Sequence, residues 1–244
     1  MAISIVNMVT KSIGCTSGSI DIPTGSTAGD LLLMCYSVED RNWPNESGSV
    51  TGFTELLNQG DVFGGTGRVL YKVITQSETT GGTTYTINNL NKNCCVMLMV
   101  LRGVDTSNPM DRSIMVGRGN GDTTTGITTT VNNSLIFQMV ASIRNTPTFS
   151  NWANSTNPLT WTEQCDFLGN RDISWCAAAD GVAIGIATST QTTAGNIGNT
   201  SFTSTPNAQT SDLMFVFNIK PTSTITKNIV IRKNPNGGLF YFST

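Results

Sequence analysis

Apolar residues fall along this chain in short uninterrupted runs, not at helical spacing. Leu31-Leu32-Leu33-Met34, Val96-Met97-Leu98-Met99-Val100-Leu101, Leu135-Ile136-Phe137 and Leu213-Met214-Phe215-Val216-Phe217 stand out. Gly, Asn and Thr clusters separate them, the punctuation of strands joined by turns. Two series of strands are predicted. The first is 29–38, 53–59, 68–74, 83–88 and 94–102; the second is 134–142, 159–167, 173–186, 200–205 and 212–220. The expected fold class is all-β, an antiparallel jelly-roll-like sandwich.

The two series read as two copies of one unit. Leu31-Leu32-Leu33-Met34 answers to Leu135-Ile136-Phe137-Gln138. Asn42-Trp43-Pro44-Asn45 answers to Asn151-Trp152-Ala153-Asn154, and Phe53-Thr54-Glu55 to Trp161-Thr162-Glu163. The offset is 109 at the Trp pair and 108 at the aromatic-Thr-Glu pair, near-constant through two separate motifs. On the same logic Val69-Leu70-Tyr71 is matched to Ile173-Ser174-Trp175, and 96–101 to 213–218. Five strands per copy make a doubtful core, so one sandwich of two pseudo-symmetric halves is expected over residues 1–221. The copies are placed at about 20–105 and 127–221. The connector, 105–133, is Gly- and Thr-rich, with a short strand expected around 113–116. Outside the repeat, 222–244 reads as a β-hairpin, 227–233 and 238–242, about the turn Asn234-Pro235-Asn236-Gly237.

Composition narrows the function classes. Charged residues are 12% of the 244, against about a quarter in typical chains, and Thr, Ser and Asn (37, 22 and 24) wet the surface instead. A net charge of −2 leaves no basic footprint for nucleic acid. No apolar run approaches the roughly 20 residues that span a membrane, and the first residues carry no signal-peptide pattern. The absence of histidine excludes Ser-His-Asp and Cys-His nucleophiles, histidine bases and mixed zinc sites. Six cysteines lack any Cys-x-x-Cys spacing and are read as small buried hydrophobes, with disulfides in an oxidising compartment as the alternative. Of the adjacent pair, one of Cys94 and Cys95 is expected in the core. The other is expected on the outer face or against a neighbouring subunit.

Few groups remain for chemistry. Glu55 and Glu163 are repeat equivalents that a glycosidase would need to converge on one cleft; solvent-facing positions on edge strands are expected. Gly117-Arg118-Gly119-Asn120-Gly121-Asp122 lacks the strand-then-helix context of a phosphate loop and reads as connector. Trp43 and Trp152, each between asparagines, suit stacking on a sugar ring or protein partner, or folding back to plug an open end of the sandwich. The plug is the favoured role. The terminal hairpin carries Lys227, Arg232, Lys233, Phe240, Tyr241 and Phe242; with Lys220 it gathers four of the 14 basic residues.

Ala28-Gly29-Asp30-Leu31-Leu32-Leu33, the aromatic-Thr-Glu strand, Arg68-Val69-Leu70-Tyr71-Lys72-Val73 and Leu101-Arg102-Gly103-Val104-Asp105 with Asn108-Pro109-Met110-Asp111 resemble a group of tailed-bacteriophage structural proteins. The likeness spans about residues 20–221; Gly52-Phe53-Thr54 stands where that group has Gly-Trp-Thr. The group consists of β-sandwich capsid-decoration or fibre components without a catalytic motif. The resemblance implies a non-enzymatic decoration (cement) protein of the virion, made in the host cytoplasm. No cofactor, no metal and no catalytic residue is expected. Partners would be the major capsid protein or other virion proteins, with homo-oligomerisation as a dimer or trimer. Contacts would fall on Trp43, Trp152 and the hairpin residues named above. The alternative is a tail-fibre module recognising a host surface glycan; a third reading is a carboxylate-dependent glycan depolymerase.

Overall fold

Every residue from Leu31 to Val38 is buried, and so is every residue from Ser134 to Ser142. Neighbouring side chains of a strand point to opposite faces. These two strands are therefore covered on both sides, and the architecture follows from that. The computed structural model describes residues 2–14, 16–38, 47–61, 65–79, 82–90, 93–116, 123–143, 148–169, 181–205, 212–223, 229–233 and 239–243.

The first half contains β1 (Ser4–Ile13), β2 (Thr16–Asp21), β3 (Leu31–Val38), β4 (Ser47–Val50), β5 (Thr54–Asp61), β6 (Gly65–Val73), β7 (Thr84–Leu90) and β8 (Cys94–Arg102). The second contains β9 (Met110–Val116), β10 (Thr123–Thr124), β11 (Ser134–Ser142), β12 (Thr148–Asn154), β13 (Thr162–Leu168), β14 (Ala183–Gln191), β15 (Thr200–Thr205) and β16 (Leu213–Ile219). The sheets of the first half run β1-β8-β3-β6-β5 and β2-β7-β4; those of the second run β9-β16-β11-β14-β13 and β10-β15-β12. The strand orders are identical, position by position, and all pairings are antiparallel. Each half is thus a jelly roll in which the fifth strand has joined the edge of the larger sheet.

The two five-stranded sheets pack face to face. Leu31, Leu33, Cys35, Cys95, Met97, Met99 and Leu101 meet Leu135, Phe137, Met139, Leu213, Phe215 and Phe217 across the seam, in a cluster of 23 buried apolar residues. The opposite faces of β3 and β8 (Leu32, Met34, Tyr36, Val96, Val100) pack on Ile20, Tyr85 and Ile87 of the first three-stranded sheet. The second half repeats this with Ile136, Val140, Met214 and Val216 facing Phe149, Ile197 and Phe202. Four layers result, and the seam holds the largest core. At about 1.5–3 kcal/mol per exposed side chain, parting the halves would cost tens of kcal/mol. Contacts across the seam come in matched pairs: β6 touches β11 as β14 touches β3, and β8 touches β14 as β16 touches β6. That reciprocity is the signature of a two-fold interface.

The duplication reaches down to irregularities. Thr54 pairs with Tyr71 and a bulge follows between Glu55 and Leu57; Thr162 pairs with Thr188 and a bulge follows between Glu163 and Cys165. The edge strand β1 carries a bulge between Ile5 and Asn7 where the β16–β9 ladder shifts between Phe217 and Ile219.

Several sequence expectations change. The repeat begins at Ser4, not near residue 20. The connector contains all of β9 and β10. The strand matching β6 is β14, so Val69 corresponds to Ile186 and not to Ile173; 170–180 lie outside the described residues. Leu101 and Ile219 occupy equivalent registers opposite Leu31 and Leu135, one residue off the sequence match of 96–101 with 213–218. The C-terminal hairpin is present as β17 (Ile229–Lys233) and β18 (Leu239–Ser243).

Candidate functional site

Trp152 sits on β12, half-buried against Phe149 and Phe202 at ring-centroid distances of 6.4 and 5.4 Å. Its indole N–H donates to Glu163 at 3.0 Å. Asn151, before it, has φ +52°, and the β12–β15 ladder skips between Ser150 and Ala153, which turns the indole inward. In the first half Arg68 is the donor to Glu55, at 2.8 Å from Nε, and its Nη1 also donates to the Tyr36 hydroxyl at 2.9 Å. The positions matching Tyr36 and Arg68 are Val140 and Gly185. A Cβ at Gly185 would lie 2.4 Å from Phe149, so the aromatic cluster occupies the space of the arginine. Trp152 is a plug with a satisfied polar tip.

Glu55 and Glu163 do not converge. They sit on strands at opposite ends of the seam, each tied to its own half. Trp43 and Lys227 lie outside the described residues, as does 117–122. The hairpin backbone pairs Arg232 with Phe240, Ile231 with Tyr241, Val230 with Phe242 and Lys233 with Leu239. Cys94 and Cys95 correct the expectation made for them, because both are buried: Cys94 in the first half's core and Cys95 in the seam. The doubly covered sheet leaves no outer face at that position. Desolvation pushes both thiols well above their usual range, and Cys165 up to about 12. Among the described residues, no cluster of Cys, Asp or Glu is arranged to hold a metal ion.

The opening that merits functional scrutiny is one the sequence reading passed over. At the end of the seam where β5 touches β9, Leu56, Tyr71 and Met110 close the gap by packing on the central core. The matching positions at the other end are Gln164, Thr188 and Ile5, fixed by the shared bulges and registers. There a groove of about 760 Å³ lies between β1 and β13, within the ~300–1,000 Å³ typical of ligand pockets. Ile3 and Ile5 form one wall; Thr162, Gln164, Thr188 and Thr190 form the other, closed off by residues 157–160 and 192–194. Gln164 donates to the Thr188 hydroxyl at 2.9 Å. Among the described residues, no lining residue carries a charge. One signal for this site lay in the sequence: Leu56 follows the first Thr-Glu, whereas Gln164 follows the second. No protein-family model, characterised protein or solved structure matches the chain.

Proposed function

We propose that this protein is a non-enzymatic structural component of a tailed-bacteriophage virion, a decoration (cement) protein on the capsid surface. The observation that carries the reading is the seam core of 23 buried apolar residues, backed on either side by each half's own buried cluster, which makes the double jelly roll one stiff block. A cement protein works by area and stiffness. Each contact between neighbouring capsomers needs roughly 1,200 Å² or more, and a soft body would not transmit load across it. The motifs that carry the resemblance to phage structural proteins support it too: Ala28-Gly29-Asp30 and Arg102-Gly103 meet in one ion pair, an architectural device. Docking is assigned to the C-terminal segment, whose β17–β18 hairpin is suited to adding to the sheet edge of a capsid protein.

The test is quantitative mass spectrometry of purified virions. A stoichiometry comparable to the major capsid protein is expected. A few copies per tail would move the protein to a fibre, and absence from virions would overturn the reading. The fibre reading, with a glycan as target, is favoured by one observation, the uncharged groove between β1 and β13.

A further inference from the structure

A void left by imperfect packing is apolar and closed. The groove between β1 and β13 is neither, and it exists because two large apolar plugs have polar replacements. Leu56 and Tyr71 at the filled end become Gln164 and Thr188 at the open one. Thr162 lies directly opposite Thr188 in the β13–β14 ladder, and Thr190 follows two residues on. These side chains share one face with Gln164, so hydroxyls and an amide form two short rows. The hydroxyls of Thr162, Thr190, Thr192 and Thr193 make no hydrogen bond among the described residues. Facing them, Ile3 and Ile5 present bare aliphatic surface.

We propose that this groove binds a neutral saccharide. A sugar ring has the two surfaces that the walls complement: a rim of hydroxyls for the Thr and Gln side chains, and a C–H face for the isoleucines. The lack of any charge among the described lining residues argues against phosphorylated, sulfated or acidic ligands, which would enter without a counter-charge. The site is distinct from Trp152, whose ring packs in the second half's own core. It is also independent of where in a virion the protein sits, so its failure would leave the decoration reading standing.

The full chain is screened on an array of neutral and acidic oligosaccharides, and the best neutral hit is measured by titration calorimetry. The decisive variant is Gln164→Leu/Thr188→Tyr, which installs the plugs of the filled end. It is expected to keep the wild-type melting temperature and to weaken saccharide binding at least about tenfold. Should that pair fail to fold, Thr162→Val/Thr190→Val removes two hydroxyls at constant volume, and a several-fold loss is expected. Trp152→Phe should bind as wild type. The proposal is overturned if no neutral saccharide binds at millimolar concentration, if only acidic glycans bind, or if binding survives the variant that folds. Capture of a protein partner that the plugged variant abolishes, without saccharide binding, would equally overturn it.

Discussion

Arg102 grips Asp30 with both prongs: Nε donates to one carboxylate oxygen at 2.8 Å and Nη2 to the other at 2.7 Å. The pair ties the end of β8 to the start of β3. Thr27 donates to the same carboxylate from its backbone N–H and its hydroxyl, both at 2.9 Å. Gly29 and Gly103, at φ +89° and +81°, let the chain turn beside the clamp, and a Cβ at Gly103 would lie 2.8 Å from the Ala2 carbonyl oxygen. The second half keeps no such clamp, because Ser134 and Lys220 occupy the matching positions.

Asp30 is only 4% exposed, and without Arg102 its carboxylate would keep only the two bonds from Thr27. Arg102→Ala is therefore expected to lower stability in urea denaturation. Arg102→Lys should recover little of it, since a point charge cannot serve two oxygens in the plane of a guanidinium. Recovery to wild-type stability with lysine would refute the bidentate role.

Trp152 gives a second prediction. A plug and a ligand platform differ in what truncation does to the free protein. Half-buried against Phe149 and Phe202, Trp152→Ala should destabilise by about 2–3 kcal/mol, below the 3–5 of a fully buried aromatic. Trp152→Phe should lose less, because a phenyl ring still packs on Phe149 and Phe202 while the bond to the exposed Glu163 and part of the ring area disappear. Unchanged melting of the alanine variant would return Trp152 to the list of binding residues.

The buried thiols supply a third. In a Cys15→Ser/Cys176→Ser variant, Cys35, Cys94, Cys95 and Cys165 should all be silent to a disulfide reagent at neutral pH. Burial both blocks access and suppresses the thiolate. All four should titrate in denaturant. A fast-reacting thiol in the native state would show that one of the two covers over its sheet opens.

How much of this was legible beforehand depended on burial. Strands β3, β8, β11 and β16 were readable because sheets covered on both faces need unbroken apolar runs. That same feature hid their register: Val96–Leu101 carries no alternation to say which side chain faces the seam, so its match slipped by one residue. The Thr-Glu bulge, which breaks the strand at one fixed point, was aligned correctly. Strand β1 escaped notice for a related reason. Its bulge puts Ile5 and Met8, three residues apart, on the seam and Val6 and Val9 on the first half's core, which erases period-two patterning in 4–13. The groove arises between β1 and β13, strands far apart in sequence, and only comparing Leu56 with Gln164 hinted at it.

Glu78 sets a pH dependence. Desolvation alone would raise its carboxyl, but Lys72 at 2.6 Å, Thr75 through its backbone N–H and hydroxyl, and Tyr85 at 3.0 Å outweigh it and bring it down to about 2. A folded value below the unfolded one means the contribution is complete above about pH 4.5. It is then lost as the pH falls toward 2. Allowing for screening at a partly exposed site, Glu78→Gln should cost about 1–2 kcal/mol at pH 7. The gap from wild type should close between those pH values, and a gap constant down to pH 2 would refute the assignment.

Gln138 tests the duplication itself. It is 1% exposed at the centre of β11, and neither its amide nitrogen nor its oxygen finds a partner among the described residues. Thr124 and Thr200, paired on the facing three-stranded sheet, leave their hydroxyls equally unmet. Together they break the second half's core into two patches, with Ile136 in one and Val140 in the other. The first half has Met34 at the position of Gln138, and its core is continuous. If the halves are equivalent in packing, Gln138→Met should fit without strain and relieve a buried amide. A gain of about 1–3 kcal/mol is expected in urea denaturation, with an unchanged m-value. A loss would mean the amide is satisfied by something bound inside that core, and the second jelly roll would then be specialised where the first is not.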